Sequence, residues 1–298
     1  MSVRFPESME RVAGSRAPPP RTAWWQWATV LSLDAPAVAL VWQAFFARLL
    51  GVHLQPHHHV ILGVVTWVVY AADRWMEGLE IDPALVCTQR HRFYQQFRLP
   101  VAVLGVCLTL AVSGLALARL TRAEWEAGLV LAAPVGLYLV AGPMLRRIEA
   151  WRIPKELCIA VLFAAGTGCF PLVQAGPQAS RLAFPLLWFA LLCLSNLVLI
   201  ARWETTVDVA HAQFSIALAH PALDRRLGAT PWVVAVAAAA AGLARAGGPV
   251  VVAACVSVSA ALLGLLDRCQ DRLGRRLARA IVDATLLTPL VPLLLGVV

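Results

Sequence analysis

Charge is scarce in this chain. Only 14% of its 298 residues are Asp, Glu, Lys or Arg, while 60% are hydrophobic. That balance excludes an ordinary soluble domain and a disordered polar chain, and it points to a polytopic membrane protein. Paired cysteines are lacking as well. Cys87, Cys107, Cys158, Cys169, Cys193, Cys255 and Cys269 are scattered, with no Cys-x-x-Cys, so they read as small buried hydrophobes rather than as zinc ligands or a disulfide framework. Residues 1–24 lack a short apolar run followed by a small-residue cleavage site, so they are not expected to be a secretory signal peptide. They are expected to form a disordered cytosolic tail that ends in Trp24, Trp25 and Trp27 at the membrane interface.

Apolar runs are what the chain has in abundance. Nine stretches are long enough to cross roughly 30 Å of hydrocarbon, near 25–50, 58–78, 99–118, 125–143, 155–174, 182–202, 230–246, 249–266 and 280–298. The expected fold class is therefore an all-α integral membrane protein with about nine transmembrane helices in a single domain over 25–298. With a cytoplasmic N-terminus, twenty of the twenty-five Lys and Arg residues fall on the cytoplasmic side and Arg48, Arg119, Arg122, Arg181 and Arg245 on the other. This positive-inside bias sets the orientation, as in a bacterial inner membrane, and an odd span count would put the C-terminus outside. The net charge of +8 then reflects topology and contact with anionic membrane lipid, and calls for no nucleic acid.

Against that apolar background the acids stand out. Asp73 and Glu77 end the second span, and Glu204 and Asp208 end the sixth. A spacing of four places each pair on one helical face, where like charges repel, and a helix C-terminus adds its own negative dipole. Interfacial carboxylates reaching for headgroups would be the plain reading of one pair. Two pairs on the same side, at the same spacing, predict a shared cavity that needs cations. Mg²⁺ prefers a few carboxylates with phosphate oxygens completing its shell, and Arg90, Arg92 and Lys155 could neutralise further phosphate charge. Segments near 79–98 and 203–229 mix apolar and basic residues at loosely helical spacing, as amphipathic lids over the cytoplasmic face would. The layout hints at two related four-helix units, with "RWME" at 74–77 echoing "RWE" at 202–204.

These features together resemble the UbiA superfamily of intramembrane prenyltransferases. The family's first motif is usually Asn-Asp-x-x-Asp-x-x-x-Asp, where this chain reads Val69-Tyr70-Ala71-Ala72-Asp73-Arg74-Trp75-Met76-Glu77; its second, usually Asp-x-x-x-Asp, here reads Glu204-Thr205-Thr206-Val207-Asp208. The resemblance covers most of the chain from about residue 28, and "RRIEAWRIPKELCIAVLFAAGTG" leads into the fifth span as in that family. It implies a helical bundle around a central cavity that holds a polyprenyl diphosphate through Mg²⁺ on Asp73, Glu77, Glu204 and Asp208. Lys155 falls where the family often carries a basic residue. The implied activity is transfer of the prenyl group to an aromatic or other lipophilic acceptor. The missing Asn and Asp of the first motif leave open a non-catalytic isoprenoid-binding relative or carrier, and intramembrane acids also suit a cation-coupled transporter.

Four further positions carry weight. Asp34 is expected two to three turns inside the first span, where an ionisable group costs about 2.5–3.5 kcal/mol and marks a site or a buried Arg partner. Asn196 is a candidate for substrate contact or an interhelical hydrogen bond. Asp283, opening the last span, suits a helix N-terminus. His53 and the histidines at 57–59 lie opposite the acids without a second ligand cluster, whereas His91 is placed to meet a diphosphate or to face a lid.

Overall fold

Every regular element among the described residues is helical, which is how a chain in hydrocarbon satisfies its backbone polar groups without water. The computed structural model describes residues 22–81, 88–145, 155–210, 215–219, 222, 224–245 and 248–297. Most of the tail expected over 1–24 and the basic run at 146–154 lie outside them, as do Cys87 and parts of both expected lids.

In chain order the helices are α1 (Trp27–Val30), α2 (Asp34–Leu50), α3 (Pro56–Glu80), α4 (Gln89–Gln96), α5 (Arg98–Arg119), α6 (Arg122–Leu145), α7 (Lys155–Ala175) and α8 (Ala183–Trp203). Then follow α9 (Thr205–Ala210), α10 (Ile216–Ala219), α11 (Asp224–Leu243), α12 (Val250–Leu273), α13 (Arg275–Ile281) and α14 (Leu290–Leu295). Among the described residues, five segments are long and apolar enough to cross a membrane: Arg98–Arg119, Arg122–Val140, Lys155–Trp203, Arg226–Leu243 and Val250–Leu273. Counting the bent pair α1–α2 as one makes six. The chain is an all-α protein with helices fit for a membrane. Side chains such as Leu110 (69% exposed) and Leu137 (68% exposed) face outward, as lipid-facing residues do.

One break falls where the sequence reading expected it, between the spans near 155–174 and 182–202, and two departures from that reading have local causes. The 49-residue segment Lys155–Trp203 would run about 73 Å if straight. It folds back through a 3₁₀ stretch at Gly176–Leu182, where Gly176 takes φ +51°, and brings Phe163 of α7 within 5.9 Å of Phe189 of α8. At the other end of the chain, the expected last span is broken into α13, a 3₁₀ turn at Asp283–Leu287 and α14; Pro289 and Pro292 withhold the N–H groups a continuous helix would need. Near the start, α1 and α2 bend by 75°, with Ser32 at φ +55° between them. Asp34 therefore opens α2 rather than lying turns inside a span, and Pro36 sits in a first turn, where it is tolerated.

The core lies between α2, α7, α8, α11 and α12. Trp42 stacks on Phe189 with ring centroids 4.3 Å apart and donates from Nε1 to the Leu286 carbonyl at 2.8 Å, which ties the broken C-terminal segment to α2. Lipid tails are as apolar as these rings, so close packing and the buried hydrogen bond hold the bundle rather than a hydrophobic drive. α3 stands at the edge of this core. It carries three histidines at its start and Asp73, Arg74 and Glu77 near its end, and it is not among the five spans.

Candidate functional site

A cavity of about 570 Å³ opens beside α3, walled by α2, α3, α6, α7 and α8. That is the size of a site for a small amphiphile. Its length is mostly apolar, lined by residues such as Val65, Val69, Leu129, Val135 and Phe163, while one end carries Asp73, Arg74, Arg90, Arg279, Asp34 and Asp283. We call this the head end. Tyr70, one helical turn before Arg74, lies just below it, with its ring 6.4 Å from that of Phe163.

At the head end the first acidic pair is divided. Asp73 lines the cavity, whereas Glu77 is 3% exposed, stands behind the wall, and is held by Arg74 through Nη1 at 2.7 Å. Helix α4 covers this corner. Thr88 caps it by accepting from the His91 N–H, and the Thr88 hydroxyl lies 2.7 Å from His91 Nδ1. The other ring nitrogen, Nε2, is 3.5 Å from Glu77 Oε2. Burial pushes the His91 imidazole down to about 4, so at neutral pH the ring is uncharged. A proton on Nε2, with the Thr88 hydroxyl donating to Nδ1, satisfies both contacts.

The second acidic pair is anchored from behind. Arg202 and Trp203, the last residues of α8, both donate to Asp267 of α12 at 2.8–3.0 Å. This fixes where Glu204 leaves the helix. Glu204 lies between two arginines, 3.6 Å from Arg90 Nη2 and 3.5 Å from Arg279 Nε. Burial alone would raise its carboxyl, but Arg90, Arg279 and Arg74 outweigh that and lower it. Asp208 on α9 is 5% exposed, and burial pushes its carboxyl up to about 6 against the pull of Lys155. The echo between "RWME" and "RWE" does not extend to role: Arg74 faces the cavity, whereas Arg202 turns to Asp267 away from it.

At the same end, Asn196 donates to Asp283 Oδ1 at 2.6 Å, and Arg279 Nη1 donates to Asp283 Oδ2 at 2.9 Å. Asn196 makes the interhelical bond and also lines the cavity. Asp34 lines the same wall and accepts from the Ala35 N–H at 3.0 Å. Lys155 is half-buried at the start of α7 and is not part of the wall. Arg92 is not brought into the site. It is exposed on α4, because two residues along a helix is a rotation of about 200°, and Arg90 takes the inner face.

The Mg²⁺ implied by the resemblance does not fit this donor set. Glu77 and Glu204 are engaged by guanidinium groups, and Glu77, Glu204 and Asp208 do not line the cavity. Among the described residues no group of three or more His, Cys, Asp or Glu side chains is placed to hold a metal ion. Sequence reasoning passed over Arg74, Arg279 and Tyr70 as site residues. The signals were there in part: Arg74 lies three before Glu77, and Arg279 lies four before Asp283. Comparison with family models, with curated proteins and with solved structures finds no match to this chain.

Proposed function

We propose that this chain is a divergent UbiA-like membrane protein that takes a polyprenyl diphosphate into the cavity and passes its prenyl group to a lipophilic acceptor. The observation that carries this reading is the division of the cavity into a polar head end, where Arg74, Arg90 and Arg279 stand among Asp34, Asp73 and Asp283, and a long apolar remainder. An anionic head with an apolar tail matches both halves at once. In this reading the bond between C1 of the prenyl chain and the diphosphate oxygen breaks, and diphosphate keeps the electron pair and stays at Arg74, Arg90 and Arg279. The acceptor bonds to C1 and gives up a proton, for which Asp73 on the wall is the nearest carboxylate to Tyr70 along α3. Tyr70 and Phe163 lie where positive charge would develop at C1, and aromatic faces stabilise a cation.

The site residues inferred from sequence divide by role here. Arg90 and Asn196 meet the ligand, with Asp34 beside them, whereas Lys155 and Asp208 support the rim. In the membrane the chain would cross nine times, as the apolar runs suggest, with the head end toward the cytoplasm. Reporter fusions at Gln89 and Gly176 should then give opposite signals, and matching signals would break that topology.

A binding-only relative is the second reading, favoured because Glu77 and Glu204 are each engaged by arginine. The deciding experiment incubates purified protein with farnesyl or longer prenyl diphosphates and a membrane lipid extract. Release of diphosphate that depends on the extract supports transfer. Saturable binding without release supports the carrier, and no binding removes both.

A further inference from the structure

Of the four carboxylates that sequence spacing marks as metal ligands, Asp73 lines the cavity while Glu77, Glu204 and Asp208 do not, and the arginine partners of Glu77 and Glu204 stand on the wall. Arg74, Arg90 and Arg279 line the head end, while Glu77 and Glu204 do not. Glu77 holds Arg74 at 2.7 Å. Glu204 touches Arg90 and Arg279 only at 3.6 and 3.5 Å, beyond the 2.7–2.9 Å of a formed charge-assisted hydrogen bond. Arg90 is 7% exposed, and among the described residues neither its Nε–H nor that of Arg279 has a hydrogen-bond partner. A buried guanidinium donor left unmade costs free energy, and here two of them border one cavity.

An oxyanion at the head end would give these guanidinium groups further partners on the cavity side. Guanidinium is a rigid fork that meets phosphate oxygens in pairs, and three forks from three separate helices, α3, α4 and α13, surround this end. We infer that the head end binds a diphosphate through Arg74, Arg90 and Arg279 without a divalent cation, and that Glu77 and Glu204 are positioning residues that hold those guanidiniums in place. The inference rests on the reading that the cavity takes a prenyl diphosphate. It departs from the resemblance in removing the metal from binding and in assigning the two glutamates to arginine rather than to a cation.

The test is calorimetric titration of the full chain in detergent with farnesyl diphosphate, in excess EDTA and in excess Mg²⁺, with farnesol as the uncharged control. The expected result is an affinity in EDTA within about twofold of that in Mg²⁺, and a loss of about tenfold or more in Arg90→Gln and in Arg279→Gln with farnesol binding unchanged. Glu204→Gln separates the two roles. As a positioning residue it weakens binding in EDTA as well as in Mg²⁺; as a metal ligand it would leave the EDTA affinity alone and remove only a gain from Mg²⁺. Binding that appears only with Mg²⁺ overturns the inference and leaves the prenyl-diphosphate reading standing. Absence of binding under both conditions overturns both. Where an arginine variant does not fold, the wild-type protein decides: inorganic pyrophosphate in EDTA should raise its melting temperature as much as it does in Mg²⁺, and a rise confined to Mg²⁺ refutes the cation-free site.

Discussion

Arg74 Nη1 lies 2.7 Å from Glu77 Oε2 on the same helix, with the carboxylate 3% exposed. Removing one partner of such a buried pair leaves the other charge uncompensated, at about 3–5 kcal/mol. Glu77→Ala should therefore lower stability by that order, and Glu77→Gln by less, because the amide oxygen still accepts. Arg74→Met combined with Glu77→Leu should recover most of the loss, as coupled residues do. Unfolding in mixed micelles measures these proteins together with the single variants Arg74→Met and Glu77→Leu. Additive losses would mean that the two side chains do not depend on each other.

The same pair shows how far sequence reached. Apolar runs announced the helical class, and spacing by four found both acidic ends, because each is local along the chain. The sequence reading also expected the two ends to share a cavity; in the structure Arg90, which lines the cavity, lies 3.6 Å from Glu204. What the spacing could not show is which cation answers each acid: Arg279 is distant in sequence from Glu204, and only the fold brings Nε to 3.5 Å. Breaks in the first and last apolar runs were missed because a hydropathy count does not register the positive φ at Ser32, or that Pro289 and Pro292 withhold their N–H groups. Arg92 was grouped with Arg90 because proximity along the chain hides opposite helical faces.

Asp208 should make stability depend on pH. Burial raises its folded carboxyl to about 6 from the ordinary 3.8. An acid raised on folding stays protonated longer in the folded state, so ionisation of the unfolded chain begins to favour unfolding as pH rises above 3.8. The cost is complete above about pH 6, at up to about 3 kcal/mol. Asp208→Asn should raise the melting temperature at pH 7 and change it little near pH 4. An equal effect at both pH values would show that its carboxyl is not shifted.

His91 has the opposite dependence on acid. Its folded pKa of about 4, lowered first by burial, means that between pH 6.5 and 4 the unfolded chain takes up a proton that the folded site refuses. Stability is therefore lost as pH falls through that window. His91→Gln, which keeps an amide donor toward Glu77, should remove that part of the acid sensitivity. An imidazole signal that titrates near pH 6.5 in the folded protein would contradict the neutral ring.

The far end of the cavity is closed by a polar staple that should matter to the fold and not to the anion. Glu124 accepts from His58 Nε2 at 2.9 Å and Gln174 Nε2 at 2.6 Å through Oε1, and from the Thr121 N–H at 2.7 Å and hydroxyl at 2.9 Å through Oε2. The Gln55 N–H donates to His58 Nδ1 at 3.0 Å, so the ring carries its proton on Nε2 and can be neutral while it serves Glu124. Thr121 and Glu124 also form the reciprocal cap of α6. One carboxylate thus joins the starts of α3 and α6 to the end of α7. Glu124→Ala leaves several buried donors unmade and should cost about 3 kcal/mol or more; His58→Leu should cost less, since a neutral donor is removed. From His58 to Arg74 is about 24 Å along α3, beyond the reach of a diphosphate head. Farnesyl diphosphate affinity per folded molecule should therefore stay within about twofold in both variants. A tenfold loss of affinity in His58→Leu with its melting temperature unchanged would make this end part of the ligand site instead of a staple.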